Sequence, residues 1–142
     1  YADGNRGVAA NTLSEISVAP ISGRDGWLVR TALIDRIGDH GDSARYRLEV
    51  KLDDQIQGLG LRSDATTTRE RRTLRARYKL VDTVENRLIV DTTAGSDVGI
   101  DIVNSEYATV AAEQTALERL AERVADQIVT RIAVNAGKAD PK

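Results

Sequence analysis

The stretch Arg45-Tyr46-Arg47-Leu48-Glu49-Val50-Lys51-Leu52-Asp53 alternates charged and apolar side chains without a break. Successive side chains of a β-strand point to opposite faces, so Tyr46, Leu48, Val50 and Leu52 line one face and Arg45, Arg47, Glu49, Lys51 and Asp53 the other. Such a strand belongs to a sheet with one covered face and one solvated face. The pattern returns downstream, where Leu74, Ala76, Tyr78 and Leu80 form the apolar set and Arg71, Thr73, Arg75, Arg77 and Lys79 the polar one. A hairpin joins the two runs. After Ile56, Leu59 and Leu61 fall on the opposite parity, which predicts a bulge or a change of direction at Gly58 or Gly60.

Working outward, residues 82–87 supply a turn containing Glu85-Asn86, and Leu88, Ile89 and Val90 begin a third run that reaches Ala94 before Gly95-Ser96-Asp97 breaks it. From Asn104 or Ser105 to a stop at Asn135-Ala136-Gly137, the spacing predicts one amphipathic helix of about 30 residues, or roughly 45 Å. Its apolar stripe is Leu117, Leu120, Ala121, Val124, Ile128 and Ile132. Arg119 with Glu122, and Arg123 with Asp126, sit three apart on the solvent side. Upstream, Ser22 and Asp25 resemble a capping box, and Leu28, Val29, Ala32, Leu33 and Ile37 follow at helical spacing until Gly38. Before that helix, Ile16, Val18 and Pro20 alternate with Ser17 and Ala19 as a short edge strand. The order is β-α-β-β-β-α. Each helix has one apolar stripe and the middle strands one apolar face, which predicts an α+β two-layer sandwich with both helices on one face of a four-stranded mixed sheet. Residues 1–14 read as an N-terminal arm or tether, 15–137 as a single domain and 138–142 as a tail.

The 142 residues include 12 Leu, 10 Ile and 13 Val. That is about a quarter of the chain, above the roughly one-fifth level below which disorder becomes the better expectation. The net charge of -2 argues against binding nucleic acid or anionic membrane over the whole surface. With no Cys and one His, there is no disulfide framework, thiolate metal site, catalytic thiol or His cluster. His40 lies in the turn Asp39-His40-Gly41-Asp42-Ser43 and is expected to face solvent rather than a metal. No Ser-His-Asp or paired-carboxylate arrangement follows from the sequence, so neither an enzyme nor a cofactor is expected. No run approaches the roughly 18 apolar residues of a membrane-spanning helix. The chain opens at Tyr1 and has no Met. That is read as a processed chain, with any signal peptide or lipid-bearing residue upstream.

Charge is the feature with functional content. Between Arg62 and Lys79 there are seven cations, Arg62, Arg69, Arg71, Arg72, Arg75, Arg77 and Lys79, against Asp64 and Glu70, a local +5. On a strand, Arg69, Arg71, Arg75, Arg77 and Lys79 project on one side at about 6.6 Å per step of two residues. Arginine offers a planar fork for bidentate contact with phosphate or carboxylate, so the row suits an anionic partner with several such groups. The plainer reading is a solvated strand face partly balanced by Glu49 and Asp53. Thr66-Thr67-Thr68 could hydrogen-bond phosphate or sugar hydroxyls, or serve only as good strand sequence. Nucleic acid is not expected, because Tyr46 and Tyr78 share the apolar parity and leave no aromatic platform on the basic face.

Six runs carry a resemblance: Gly7-Val8-Ala9-Ala10, Ile16-Ser17-Val18-Ala19-Pro20-Ile21, Ala44-Arg45-Tyr46-Arg47-Leu48-Glu49-Val50, Gln57-Gly58-Leu59-Gly60, Leu74-Arg75-Ala76-Arg77-Tyr78-Lys79-Leu80 and Ser105-Glu106-Tyr107-Ala108-Thr109. In this order and spacing the chain resembles the LptE family of lipopolysaccharide-assembly lipoproteins, in its alphaproteobacterial form. The resemblance implies two helices on a four-stranded sheet, the architecture reached above from periodicity. It also implies a non-enzymatic outer-membrane protein on the periplasmic side, anchored by a lipidated cysteine upstream of Tyr1. Such a protein plugs and helps assemble the LptD β-barrel and receives lipopolysaccharide. The arginine row supplies candidates for lipopolysaccharide contact by chemical character. Two alternatives stay open: a purely structural plug whose arginines pair with acidic side chains of the barrel lumen, and an unrelated periplasmic module dimerising through a second apolar stripe on the long helix.

Overall fold

The computed structural model describes residues 12–41, 44–61, 67–102 and 105–139. Six elements follow in the order β1 (Ile16–Val18), α1 (Gly23–Ile37), β2 (Tyr46–Leu61), β3 (Thr67–Asp82), β4 (Arg87–Asp101) and α2 (Glu106–Ala139). The strands lie side by side in chain order. β1 runs parallel to β2 with Ile16 opposite Tyr46, and β2, β3 and β4 are antiparallel, so the sheet is mixed. Most of the expected N-terminal arm, residues 1–11, and the tail beyond 139 lie outside the described residues.

Alternation decides which side is covered. Leu48 on β2 and Leu74, Ala76, Tyr78 and Leu80 on β3 are fully buried, as are Val29 and Leu33 of α1 and Leu120, Val124, Ile128 and Ile132 of α2. Both helices therefore stack on the same face of the sheet, and the core is a single cluster. Burying a side chain of this size contributes roughly 1.5–3 kcal/mol each, which is why one apolar parity fixes the register of the whole sheet. Gly38 ends α1 at φ 98° while its N–H bonds to the Ile34 carbonyl at 2.7 Å. His40 folds back on that end, with Nε2 2.8 Å from the Ile37 carbonyl, and is half-buried instead of facing solvent.

Several boundaries differ from the sequence reading. The β2–β3 register runs through Gln57↔Arg71, Gly58↔Glu70 and Leu59↔Arg69 without a bulge, so Leu59 simply sits on the solvated face. The irregularity lies at the opposite end, where Leu80 faces Val90 and Val81 faces Leu88. β4 does not break at Gly95-Ser96-Asp97 but continues to Asp101, because β3 supplies cross-strand partners along that whole length. Gly137 does not stop α2; one glycine costs a helix only about 1 kcal/mol. Ser22 makes no side-chain cap, and Asp25 Oδ1 instead accepts from the Gly26 N–H at 2.9 Å.

The solvent side of α2 is also wired differently. Asp126 does not pair with Arg123 along the helix; it accepts from Arg36 Nε of α1 at 2.5 Å, with Glu122 3.8 Å from the same guanidinium. Gln127 reaches over the outer edge of β4, taking the Gly95 N–H and donating to the Gly95 carbonyl, both at 3.0 Å. A side-chain amide thus occupies the place of a neighbouring strand at that point of the edge.

Candidate functional site

β3 lies between β2 and β4, so its odd-numbered side chains stand in the middle of the solvated face. Arg69, Arg71, Arg75 and Arg77 are exposed there, with Thr73 and Lys79 half-buried. Five of the seven predicted cations are therefore brought into one row, as the alternation required. Arg62 lies outside the described residues.

Arg72 is a correction. It has the opposite parity and is 8% exposed, facing the helices. Its Nε and Nη2 donate to the two carboxylate oxygens of Asp54 at 2.9 and 2.6 Å, and Nη1 donates to the Glu113 carbonyl at 2.7 Å. With its fork filled, it has no donor pair left for a ligand. Glu70, on the same inner face, shares a side-chain hydrogen bond with Glu113. That bond and burial hold the Glu70 carboxyl up at about 7, while Arg72 opposes them. The structure thus assembles a carboxyl pair that no sequence spacing announces, since its members lie on β3 and α2. Glu70 and Glu113 are half-buried beside Arg72, and Glu70 Oε1 has no hydrogen-bond partner there.

The second correction concerns charge balance. The acids nearest the row come mainly from β4, whose solvated face reads Asp91, Thr93, Gly95, Asp97, Gly99, Asp101. Arg77 binds Asp91 through two parallel bonds, Nε to Oδ1 at 3.1 Å and Nη2 to Oδ2 at 3.0 Å. This fork holds the Asp91 carboxyl below its usual range and raises the arginine. Arg71 lies 3.4 Å from Asp97, and Arg69 3.4 Å from Asp101. Between these acids the strand carries glycine: a Cβ at Gly95 would stand 3.3 Å from Arg75 Cγ, and one at Gly99 3.3 Å from Arg69 Nη2. The arginine stems of β3 therefore lie across β4 where it has no side chains.

Over the three strands the solvated face holds seven cations, Arg47, Lys51, Arg69, Arg71, Arg75, Arg77 and Lys79, against five carboxylates, Glu49, Asp53, Asp91, Asp97 and Asp101. The net of +2 is smaller than the +5 of the linear segment. Among the described residues Arg75 and Lys79 have no carboxylate within salt-bridge distance, and Glu49, Lys51, Arg77 and Lys79 border a shallow recess of about 260 Å³. Asp97 and Asp101 were missed because β4 was read as reaching only Ala94; Asp91, inside that run, was not weighed against the row. The even spacing of Asp91, Asp97 and Asp101, six and four residues apart, was the signal that one strand continued.

Fold and face together define a two-layer α+β domain with an open, charged sheet face. Among the described residues no group of three or more His, Asp or Glu is placed to hold a metal, and no helix is long and apolar enough to cross a membrane. The family model LptE, lipopolysaccharide-assembly, matches residues 13–132. The chain belongs to the LptE family. A candidate lipoprotein from Caulobacter crescentus is similar at 27% identity and a TM-score of 0.77, over 94% of this chain and 98% of that one. Rare lipoprotein B from Shewanella oneidensis shares the fold at 13% identity and a TM-score of 0.66, over 84% and 93% of the two chains. A minor lipoprotein from Acinetobacter baumannii does so at 18% identity and 0.64, over 84% and 92%. No curated protein matches the chain in sequence. Membership of this family carries a role in lipopolysaccharide assembly.

Proposed function

We propose that this chain is the non-enzymatic, lipid-anchored subunit of the outer-membrane lipopolysaccharide translocon, seated in the LptD barrel, and that its solvated sheet face contacts lipopolysaccharide phosphates. The observation that carries the ligand reading is the division within the row. Arg69, Arg71 and Arg77 are held by β4 aspartates, whereas Arg75 and Lys79 have no carboxylate within salt-bridge distance among the described residues, the charge of Lys79 reaching Asp91 only from further off. The paired arginines form a fixed frame. Arg75, Lys79 and the neighbouring Lys51 supply donors that a phosphate can take without first displacing a carboxylate. The outer-membrane site, the periplasmic orientation and the anchor upstream of Tyr1 rest on family membership.

The test is titration of the chain with purified lipopolysaccharide at low and high salt, beside a matched uncharged lipid. Binding should weaken with salt, and R71E/R75E/R77E should abolish it while leaving the fold intact. Unchanged binding by the folded triple variant would refute the ligand role. The pairing of three arginines with aspartates favours a second reading, a structural plug with no lipid site of its own. Salt-sensitive binding to the barrel with none to the lipid would establish that reading. The helix-mediated dimer is not favoured, because the exposed apolar residues of α2, Tyr107, Val110 and Val134, do not line up as a second stripe.

A further inference from the structure

The two edges of the sheet are kept differently. Along β4, α2 meets residues that turn their backbone outward: Gln127 takes the Gly95 N–H and donates to the Gly95 carbonyl, both at 3.0 Å, and Arg123 Nη1 donates to the Asp97 carbonyl at 3.5 Å. At the opposite edge, β1 covers β2 only over Tyr46 to Leu48. The Tyr46 N–H donates to the Glu15 carbonyl and the Leu48 carbonyl accepts from the Ala19 N–H, both at 2.9 Å, so the even-numbered residues of β2 turn N–H and C=O away from β3. Beyond Leu48, the residues Val50, Leu52, Asp54, Ile56 and Gly58 present both groups with no backbone partner on that side among the described residues.

Bare edges are usually blunted by proline, lysine, a bulge, an inward charge or a covering loop. From Val50 to Gly58 there is no proline and one lysine, Lys51, and the register with β3 has no bulge. The one inward charge, Asp54, has both oxygens filled by Arg72. Burial falls off where β1 ends. Leu48, flanked by β1, is fully buried, Val50 and Leu52 on the same face are half-buried, and Ile56 is 43% exposed. Tyr78 opposite Val50 and Ala76 opposite Leu52, on the central strand, are at most 1% exposed. The core face therefore lacks a neighbour along this edge.

N–H and C=O groups repeating every second residue are matched by another extended backbone, so the edge itself specifies a polypeptide strand. Antiparallel addition is the more stable per residue, and side chains set its pattern. Lys51 and Asp53 lie on the solvated face, and among the described residues neither has an opposite charge within salt-bridge distance; Asp53 meets only the Gln55 amide at 3.4 Å. An antiparallel second copy that set its Asp53 against Lys51 would be centred on Leu52 and bring its Ile56 beside Leu48, the place that β1 already holds. We propose that the open edge of β2 binds an extended segment of another protein as an added antiparallel strand. That segment carries β-branched residues against Ile56 and Leu52 and, on the solvated side, a basic residue facing Asp53 followed two positions later by an acidic one facing Lys51. The proposal stands whether or not the sheet face binds lipopolysaccharide.

The probe is the end-capped peptide Thr-Val-Thr-Ala-Lys-Val-Glu-Val, which in the proposed register runs from opposite Gln57 to opposite Val50. It is titrated into the 142-residue chain, with amide NMR and hydrogen exchange as readouts. Binding should shift and protect the N–H groups of Val50, Leu52, Asp54 and Ile56, while those of the odd-numbered residues between them, already laddered to β3, change little. Methylating the backbone nitrogens of the two peptide valines that face Ile56 and Leu52 should weaken binding at least about tenfold, since each loses a donor aimed at β2. Exchanging the peptide's Lys and Glu should weaken it by a few-fold, and K51E/D53K should restore affinity for the exchanged peptide. I56P removes an outward N–H and no ladder bond, so it should keep the fold by circular dichroism and bind the peptide at least about tenfold more weakly. Even-numbered amides unmoved by the peptide, or an N-methylated peptide that binds as tightly as its parent, would overturn the proposal. Protection of the same amides that rises with protein concentration in the absence of peptide, with a dimer's mass in light scattering, would overturn it in favour of a second copy.

Discussion

Arg71 and Arg72 are neighbours in sequence and belong to different physical worlds. The Arg71 side chain is half exposed and sits 3.4 Å from an aspartate across the strand; the Arg72 side chain is 10% exposed and fills its fork with Asp54 and a helix carbonyl. One is an exchangeable surface pair, worth about 0.2–1 kcal/mol. The other is a buried pair whose breaking leaves a stranded charge, at a cost of about 3–5 kcal/mol. The lesson is that charge density along a sequence does not measure charge available to a ligand. A strand assigns each cation to a face, and its neighbours decide whether it is already engaged.

The largest effect that could break this comparison is at Arg72. R72A should destabilise the chain by about 3–5 kcal/mol, while R71A should stay within about 1 kcal/mol; denaturant unfolding of both variants measures the difference. A joint R72M/D54L replacement should recover much of the loss, since removing both charges leaves none stranded. Equal effects of R71A and R72A would abolish the distinction between the faces.

Next comes pH, where the two faces have opposite signs. On the inner face Glu70 holds its proton up to about 7 from an ordinary 4.5. The folded state therefore binds more protons than the unfolded state in that window, and this contribution is present below 4.5 and lost as pH rises through 7. On the outer face the Asp91 carboxyl is held down by Arg77, so its smaller contribution is present above the ordinary carboxylate range and lost as pH falls through the depressed value. Urea unfolding at a series of pH values should show stability declining from weakly acidic to neutral pH, and E70Q should flatten that slope. A slope unchanged in E70Q would assign it to another group.

The smallest expected effect sharpens the account of the row. G95A should leave stability within about 1 kcal/mol, because a strand gains from alanine what the close Arg75 stem loses. The new Cβ should lift Arg75 off β4 and lower the affinity for lipopolysaccharide. Unaltered affinity in G95A would mean that the lie of Arg75 across β4 does not matter.

Much of this was legible before the coordinates. The parity of Tyr46 to Leu52 and Leu74 to Leu80 placed the core face, and the apolar stripes of both helices are buried as their spacing required. The five-cation row was legible for the same reason. What failed to show depended on partners distant in sequence. Arg72 looked like one more cation because nothing local announces Asp54 or Glu113. The extent of β4 was hidden by glycines that usually punctuate strands and here make room for arginine stems.

The central claim is that unpartnered cations, not the count of arginines, make the ligand face. The most direct measurement compares lipopolysaccharide affinity for R75E/K79E and for R69A/R71A in folded protein at one salt concentration. The account predicts a loss of at least about tenfold for the first, the scale of one lost charge-assisted contact, and a change of no more than a few-fold for the second. Equal losses, or a larger loss in R69A/R71A, would contradict it.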